Sequence, residues 1–237
     1  MSLGNAELRD RFSTLTTPLV ADACLRLGCA MRCPPPEMLP LVSGKPIAGR
    51  ALPVRHMGSV DAFLSTLEGA NTGDVLTIDN EGRRDEACIG DLIALEAAAA
   101  GLAGIVVWGL VRDTAELVAI GLPVYCTGRC PVGPRGLRTR AVSSEANAQL
   151  GLVLVSAADV VFADDDGVIV VDGANVRAVL DAAADIARRE RAQADRVRKG
   201  VSLRQQFRFP EYLARRVEKP DYTFREHLAS LGAAVEV

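Results

Sequence analysis

The sequence predicts a layered α/β fold that mixes parallel and antiparallel strands. Three observations lead there. Segments of strand and helix composition are interspersed along most of the chain, as expected when helices lie on a sheet. Several strand candidates nevertheless follow one another directly, which a purely alternating, doubly wound sheet does not show. Finally, the stretch from Gly90 to Glu116 joins a helix rich in Ala and Leu to a charge-free run, Ile105-Val106-Val107-Trp108, that reads as a buried strand.

Taken in order, residues 5 to 28 read as helical, broken near Thr16-Thr17-Pro18 and resumed over Val20 to Leu27, with Gly28 as the stop. Cys33-Pro34-Pro35-Pro36 is extended, because consecutive prolines cannot continue a helix. Apolar positions alternate between Gly44 and Arg55 (Ile47, Ala48, Ala51, Leu52, Val54) and predict one or two strands. Asp61 to Glu68 is a short helix candidate. Gly73-Asp74 turns into a strand over Val75 to Asp79, followed by the polar loop Asn80 to Glu86. Asp91 opens the anchor helix, and Gly101 stands where it stops.

Beyond the anchor strand, Leu117 to Ile120 completes a helical turn, Gly121 caps it, and Pro123 to Cys126 starts another strand. Gly128 to Arg140, rich in Gly, Pro and Arg, is a loop, and its Gly133-Pro134-Arg135-Gly136 segment reads as a surface turn. Strands are expected at Gly151 to Val155 and Asp159 to Ala163. Asp164-Asp165-Asp166-Gly167 reads as a solvated tight turn, with Val168 to Val171 as the return arm of a hairpin. Ala174 to Lys199 has the composition of one long helix, with Val176, Val179, Leu180, Ala183 and Ile186 as its apolar stripe. Arg188, Arg189, Arg191, Arg196 and Arg198 on that helix read as a solvated face. One α/β domain over residues 1–200 is therefore expected, with residues 201–237 as a polar tail carrying Phe207, Phe209, Tyr212, Tyr222 and Phe224. The tail has too few apolar positions for its own core, so it is expected to pack on the domain or on a neighbouring subunit.

Composition narrows the function. At 237 residues the chain buries a full core, and 49% hydrophobic with 24% charged residues is ordinary for a globular protein. A net charge of -3 provides no general attraction for nucleic acid. No apolar run approaches the roughly 20 residues that span a bilayer, and the first residues lack the pattern of a signal peptide, so a cytoplasmic location is expected. The cysteines at 24, 29, 33, 88, 126 and 130 form no CxxC pair. The spacing of Cys24, Cys29 and Cys33, taken with His56, fits no common structural zinc site, and reduced, mostly buried thiols are the expectation.

Absences exclude further chemistries. The only lysines are Lys45, Lys199 and Lys219, none near the anchor in sequence to form a Schiff base. The histidines are His56 and His227, so a Ser-His-Asp arrangement drawn from residues 57 to 226 is excluded. There is no GxxxxGK[ST] loop, and no GxGxxG follows a strand. What remains at the anchor is carboxylate chemistry plus one arginine: Asp91 at a helix start, then Arg112, Asp113 and Glu116 just after a strand. A helix returning to a strand brings these into one crevice, at the kind of position where α/β sheets bind ligands. Carboxylates with water suit a hard cation such as magnesium. The planar fork of Arg112 suits a substrate carboxylate or a developing enolate, and the amides of Leu92 and Ile93 are placed to donate to an anion. Each feature also has a plain structural explanation, Asp91 as a helix cap and Arg112–Asp113 as a surface ion pair.

Asp91, then twenty residues, then Arg112-Asp113 with Glu116 three further on, resembles the motif of the 4-hydroxy-4-methyl-2-oxoglutarate aldolase family, which also contains the regulator of ribonuclease activity A. Val20-Ala21-Asp22-Ala23, Gly73-Asp74-Val75, Gly121-Leu122-Pro123-Val124 and Ala163-Asp164-Asp165-Asp166-Gly167-Val168 match in family order, so the resemblance covers roughly residues 15 to 200. It implies a β/β/α layered, swivelling-domain-like fold assembled as a homotrimer or homohexamer, with active sites between subunits. It implies a divalent metal, magnesium or another such as manganese, held by Asp113 and water, with Asp91 orienting that water. The substrate implied is a small oxo-acid yielding pyruvate, contacted by Arg112 and by the backbone from Gly90 through Leu92 and Ile93. Glu116 supports the arginine–acid pair, and a glutamate from the neighbouring subunit's C-terminal helix, for which Glu190 is the nearest candidate, completes the site. The departures are Trp108, where many relatives carry an acid, and the longer tail. They point to a subgroup with its own substrate, and oxaloacetate decarboxylation needs the same enolate stabilisation. The competing expectation is a non-catalytic regulator that binds a partner enzyme such as a ribonuclease.

Overall fold

The structure is a computed structural model describing residues 3–56, 58–136 and 147–232. Two helices open it, α1 (Asn5–Phe12) and α2 (Thr17–Leu27), the second closed by Gly28 in the left-handed conformation. There follow β1 (Leu39–Pro40), β2 (Ile47–Arg55), α3 (Asp61–Leu67), β3 (Val75–Asp79), β4 (Ala87–Ile89), α4 (Asp91–Ala99), β5 (Gly104–Trp108) and β6 (Leu110–Val111). Next come α5 (Thr114–Ile120), β7 (Val124–Cys126), β8 (Gly128–Arg129), β9 (Ala148–Leu150), β10 (Val153–Val155), β11 (Asp159–Asp164) and β12 (Gly167–Asp172). The long helix α6 (Val176–Arg198) leads to three tail helices, α7 (Leu203–Gln206), α8 (Phe209–Glu218) and α9 (Phe224–Ser230).

The main sheet has seven strands in the order β1-β7-β5-β3-β2-β11-β12. Its centre, β7-β5-β3-β2, is parallel, while β1, β11 and β12 join antiparallel, which is the mixture the strand pattern predicts. Period-two alternation assigns its faces. Val161, Ala163, Val168 and Val170, with Val75 and Val106, pack under the β9–β10 hairpin through Leu150, Val153 and Val155. On the opposite face, Val160, Phe162, Ile169 and Val171 meet α1, α2 and the stripe of α6, whose Val176, Val179, Leu180, Ala183 and Ile186 are all buried. Leu76, Ile78, Ile105 and Val107 meet α3, α4 and α5. The layers are therefore strand hairpin, sheet and helices. Among the described residues no helix is long and apolar enough to cross a membrane.

Two details depart from the sequence-based expectation, and the tail adds a third. Gly151–Val155 is not one strand: Gly151 turns in the left-handed region, and β9 and β10 are the two arms around it. Asp164 and Asp165 are not merely solvated. Asp164 accepts from Thr17 N at 2.7 Å and Thr17 Oγ1 at 2.6 Å, pinning the start of α2, and Asp165 accepts from Ser43 Oγ and Gly44 N. The tail aromatics gather on one another, with Tyr212, Phe224 and His227 mutually in contact, and Gln206 ties α7 back to α6 through Gln193 O.

One buried ion pair has a measurable consequence. Asp159 is buried, takes both Nη atoms of Arg32 (2.6 and 3.1 Å) and accepts from Ser156 N at 2.8 Å. Burial pushes its carboxyl up, but Arg32 and Ser156 outweigh it and hold it below the ordinary value. Its folded pKa thus lies under the unfolded value of about 3.9. The stabilisation is present above that value and is lost as pH falls through the folded pKa. Asp159→Asn is expected to lose about 3 kcal/mol at neutral pH and to show a flatter stability decline below about pH 4. Urea denaturation over a pH series measures both.

Candidate active site at the edge of the small sheet

The site lies on a second, three-stranded parallel sheet, β4-β6-β8. Two chain segments feed it directly from the main sheet. After Trp108 the chain passes Gly109, where an added Cβ would stand 2.9 Å from Asn80 Cβ and Nδ2, and continues as β6. After Cys126 it passes Thr127, whose N and Oγ1 both donate to Gly109 O (3.0 and 2.9 Å), and continues as β8. Pairing then runs to the last residue of each strand: Arg112 N donates to Ile89 O at 3.0 Å, and Cys130 N to Val111 O at 2.9 Å. The carboxyl ends of three parallel strands thus release Gly90, Arg112 and Cys130 side by side, the edge at which such sheets bind ligands.

At this edge the close contacts are specific. Asp113 adopts φ 55°, ψ 46°, a left-handed conformation that a side chain seldom takes, and its carboxylate lies against the bare Cα of Gly90. An added Cβ on Gly90 would stand 2.1 Å from Asp113 Oδ2 and 3.2 Å from Arg112 Cγ. Gly90 itself is extended (φ −135°), so glycine is required here for space. Arg112 Nε stands 3.3 Å from Asp113 Oδ2, and both side chains are partly exposed. Such a pair contributes at most about 1 kcal/mol to stability, while a strained backbone costs about as much. Folding therefore gains little from the arrangement, and strain of this kind gathers at functional sites.

The remaining anchor residues fall around this core. Asp91 is the first residue of α4, one position past the cap residue Gly90; its Oδ1 accepts from Leu92 N at 2.8 Å, so that amide already has a partner. Ile93 N, third in the helix, is one of the first-turn amides that an α-helix leaves without an acceptor inside the helix. Glu116 is exposed in the first turn of α5. Glu190 is exposed on α6, whose buried face belongs to the other helical layer, and no described contact joins it to Arg112 or Asp113.

Two contributors escaped the sequence reading. Gly133 packs on the guanidinium, where a Cβ would stand 2.4 Å from Arg112 Nη1, so the segment read as a surface turn covers Arg112. Glu86, almost wholly buried, holds that segment down: its Oε2 accepts from Arg135 N at 2.9 Å, and Ala87 N donates to Val132 O at 2.7 Å. Arg83 neutralises Glu86 at 2.8 Å. No local signal in the sequence marks Glu86 as buried, since Arg83 and Glu86 at that spacing also suit a solvated loop. Residues 137–140, the rest of the expected loop, lie outside the described residues.

The buried cysteines are poorly suited to nucleophilic chemistry. All six thiols are free; burial pushes Cys88 and Cys126 up, and burial followed by the neighbouring Cys29 and Cys33 pushes Cys24 up to about 11. Such thiols are poor nucleophiles. His56 stacks on Phe63 and bonds Asn80 Oδ1 through Nδ1, away from any serine partner. Among the described residues no group of three His, Cys, Asp or Glu side chains converges on a metal position.

Comparison with known proteins agrees with this architecture. A family model described as RraA-like, Aldolase/RraA, matches residues 17–170. A Halalkalibacterium halodurans protein provisionally named 4-hydroxy-4-methyl-2-oxoglutarate aldolase is 29% identical over 202 residues, covering 83% of this chain and 93% of the relative. Among solved structures, a Pseudomonas syringae pv. tomato protein superposes with a TM-score of 0.74 at 23% identity, covering 86% of this chain and 98% of its own. Streptomyces coelicolor RraAS2, described as an unusual member of the RNase ES inhibitor RraA protein family, superposes with a TM-score of 0.70 at 26% identity, covering 82% of this chain and all of its own.

Proposed function

This chain belongs to the RraA-like family, and on that premise we propose that it is a divalent-metal-dependent lyase. The reaction is cleavage of a 4-hydroxy-2-oxo acid to pyruvate and a second carbonyl compound, with oxaloacetate decarboxylation as a related activity. The observation that carries the reading is the Asp113 carboxylate, set against Gly90 beside Arg112 at the carboxyl edge of the small sheet.

The residues present fit a hard cation. Asp113 offers carboxylate oxygens that remain partly open to solvent, the kind of donor a hard cation takes through one or two protein oxygens and water. Bound magnesium or manganese supplies the Lewis acidity that polarises the keto oxygen. The protein's share is binding and charge. Arg112 presents a planar fork to the substrate carboxylate and holds the negative charge that grows as the carbon–carbon bond breaks. The Ile93 amide adds a helix-start donor. Asp91, held by Leu92 N, accepts the hydrogen bond of the substrate hydroxyl or of water, and Glu116 supports Arg112 at longer range. Leu92, Leu95 and Val118, exposed on α4 and α5 beside the crevice, support a homotrimer or homohexamer in which another subunit covers this face and Glu190 reaches a neighbour's site.

A lactate dehydrogenase-coupled assay tests the proposal. Hydroxy-oxo-acids and oxaloacetate are expected to give pyruvate with magnesium and none after EDTA, with activity restored by added metal. No turnover on any of these acids, together with co-purification of a ribonuclease, would instead identify a non-catalytic regulator.

A further inference from the structure

We propose that the concavity between the second half of α6 and the tail binds a small multivalent oxyanion, a compound bearing two or more phosphate or carboxylate groups. The inference is independent of the lyase reading. The cavity measures about 510 Å³ and is lined by Arg189 and Arg196 from α6 and by Arg208 at the start of α8, with no carboxylate among its described lining residues. Such a volume suits a small organic ligand. The tail helices lie beyond the residues that the family model matches.

Charge pairing on α6 is selective. Arg188 pairs with Asp185 at 2.6 Å and Arg198 with Asp195 at 2.7 Å, so these acids of the helix are committed away from the cavity. Arg189 and Arg196 stand two turns apart on one face, with the small Ala192 between them. Neither has an ion pair among the described residues: Arg196 Nε turns to its own helix, at Ala192 O. Arg208 faces them from a left-handed residue (φ 46°), and its nearest acid, Glu211, is 4.0 Å away. Three permanently charged forks thus share one space in which, among the described residues, only Glu211 beside Arg208 offers a counter-charge, and an oxyanion relieves the rest through paired hydrogen bonds.

Gln206 and Phe207 complete the wall on the tail side. Gln206 Nε2 donates to Gln193 O and Val201 O (3.1 and 2.9 Å), which fixes the amide, and its Oε1 is buried without a partner. Phe207 provides an apolar wall.

The test is calorimetric titration of the full-length, metal-stripped protein with pyrophosphate and, separately, with citrate, at about 50 mM salt, where screening is weak. A saturable site that persists in Arg112→Ala is expected. Arg189→Glu/Arg196→Glu should weaken it by more than about tenfold, whereas Arg188→Glu, on the paired face, and Arg112→Ala, in the crevice, leave it unchanged. Preference for pyrophosphate assigns phosphate chemistry, and preference for citrate assigns carboxylate chemistry. Absence of binding by both anions overturns the proposal, as does binding that survives the double reversal or is lost equally in Arg188→Glu.

Discussion

Gly90→Ala is expected to lose pyruvate-forming turnover by about a hundredfold or more while the chain still folds. Alanine adopts the extended backbone of Gly90 without strain, so the damage is steric and local. The new methyl would stand 2.1 Å from Asp113 Oδ2 and drive the carboxylate out of its place. A displacement of about 1 Å at a reacting centre is enough for a loss of that size. Calorimetry with manganese should show the metal affinity falling in parallel, and urea denaturation should show a stability loss of about 1–3 kcal/mol from overpacking. Turnover and metal affinity that both match the parent protein would remove Asp113 from the chemistry.

Arg112→Ala is expected to reduce turnover by about 10²–10³-fold, the usual loss when one donor to a developing oxyanion is removed. Because the same guanidinium meets the substrate carboxylate before reaction, KM should rise as well. Stability should change by less than about 0.5 kcal/mol, since the side chain is partly exposed and its pairing with Asp113 is worth little. Arg112→Lys should recover only a small part, because an ammonium cannot reproduce the fork. Equal rates in parent and alanine variant, measured in the coupled assay, would take the arginine out of the mechanism.

Much of the fold was legible because its cues are local and periodic. The alternation in β2, the hairpin turning at Asp164 to Gly167, the stripe on α6 and the stops at Gly28 and Gly121 all stand where the residues indicate. The small sheet was not legible. β4, β6 and β8 have two or three residues each, too few to show a period. The nearness of Gly90 to Arg112 and Asp113 followed from helix–strand logic, but the structure achieves it by carrying two strands across into that sheet. Asp164 and Asp165 read as solvated because their partners, Thr17, Ser43 and Gly44, are more than a hundred residues away in sequence. Glu86 and Gly133 were hidden for the same reason, since nothing local says that a buried acid clamps a distant loop.

The unbroken passage of chain through Gly109 and Thr127 has an evolutionary corollary. The floor beneath Gly90 and Arg112 is spliced into two buried strands of the main sheet, β5 and β7, so it cannot be remodelled without unsettling the interior. The rim segment around Gly133, tied down at Glu86 and Ala87, and the appended helices lie outside both sheets. Diversification of substrate among relatives built on this plan should therefore accumulate in the rim and the appendage, above a floor that stays as it is.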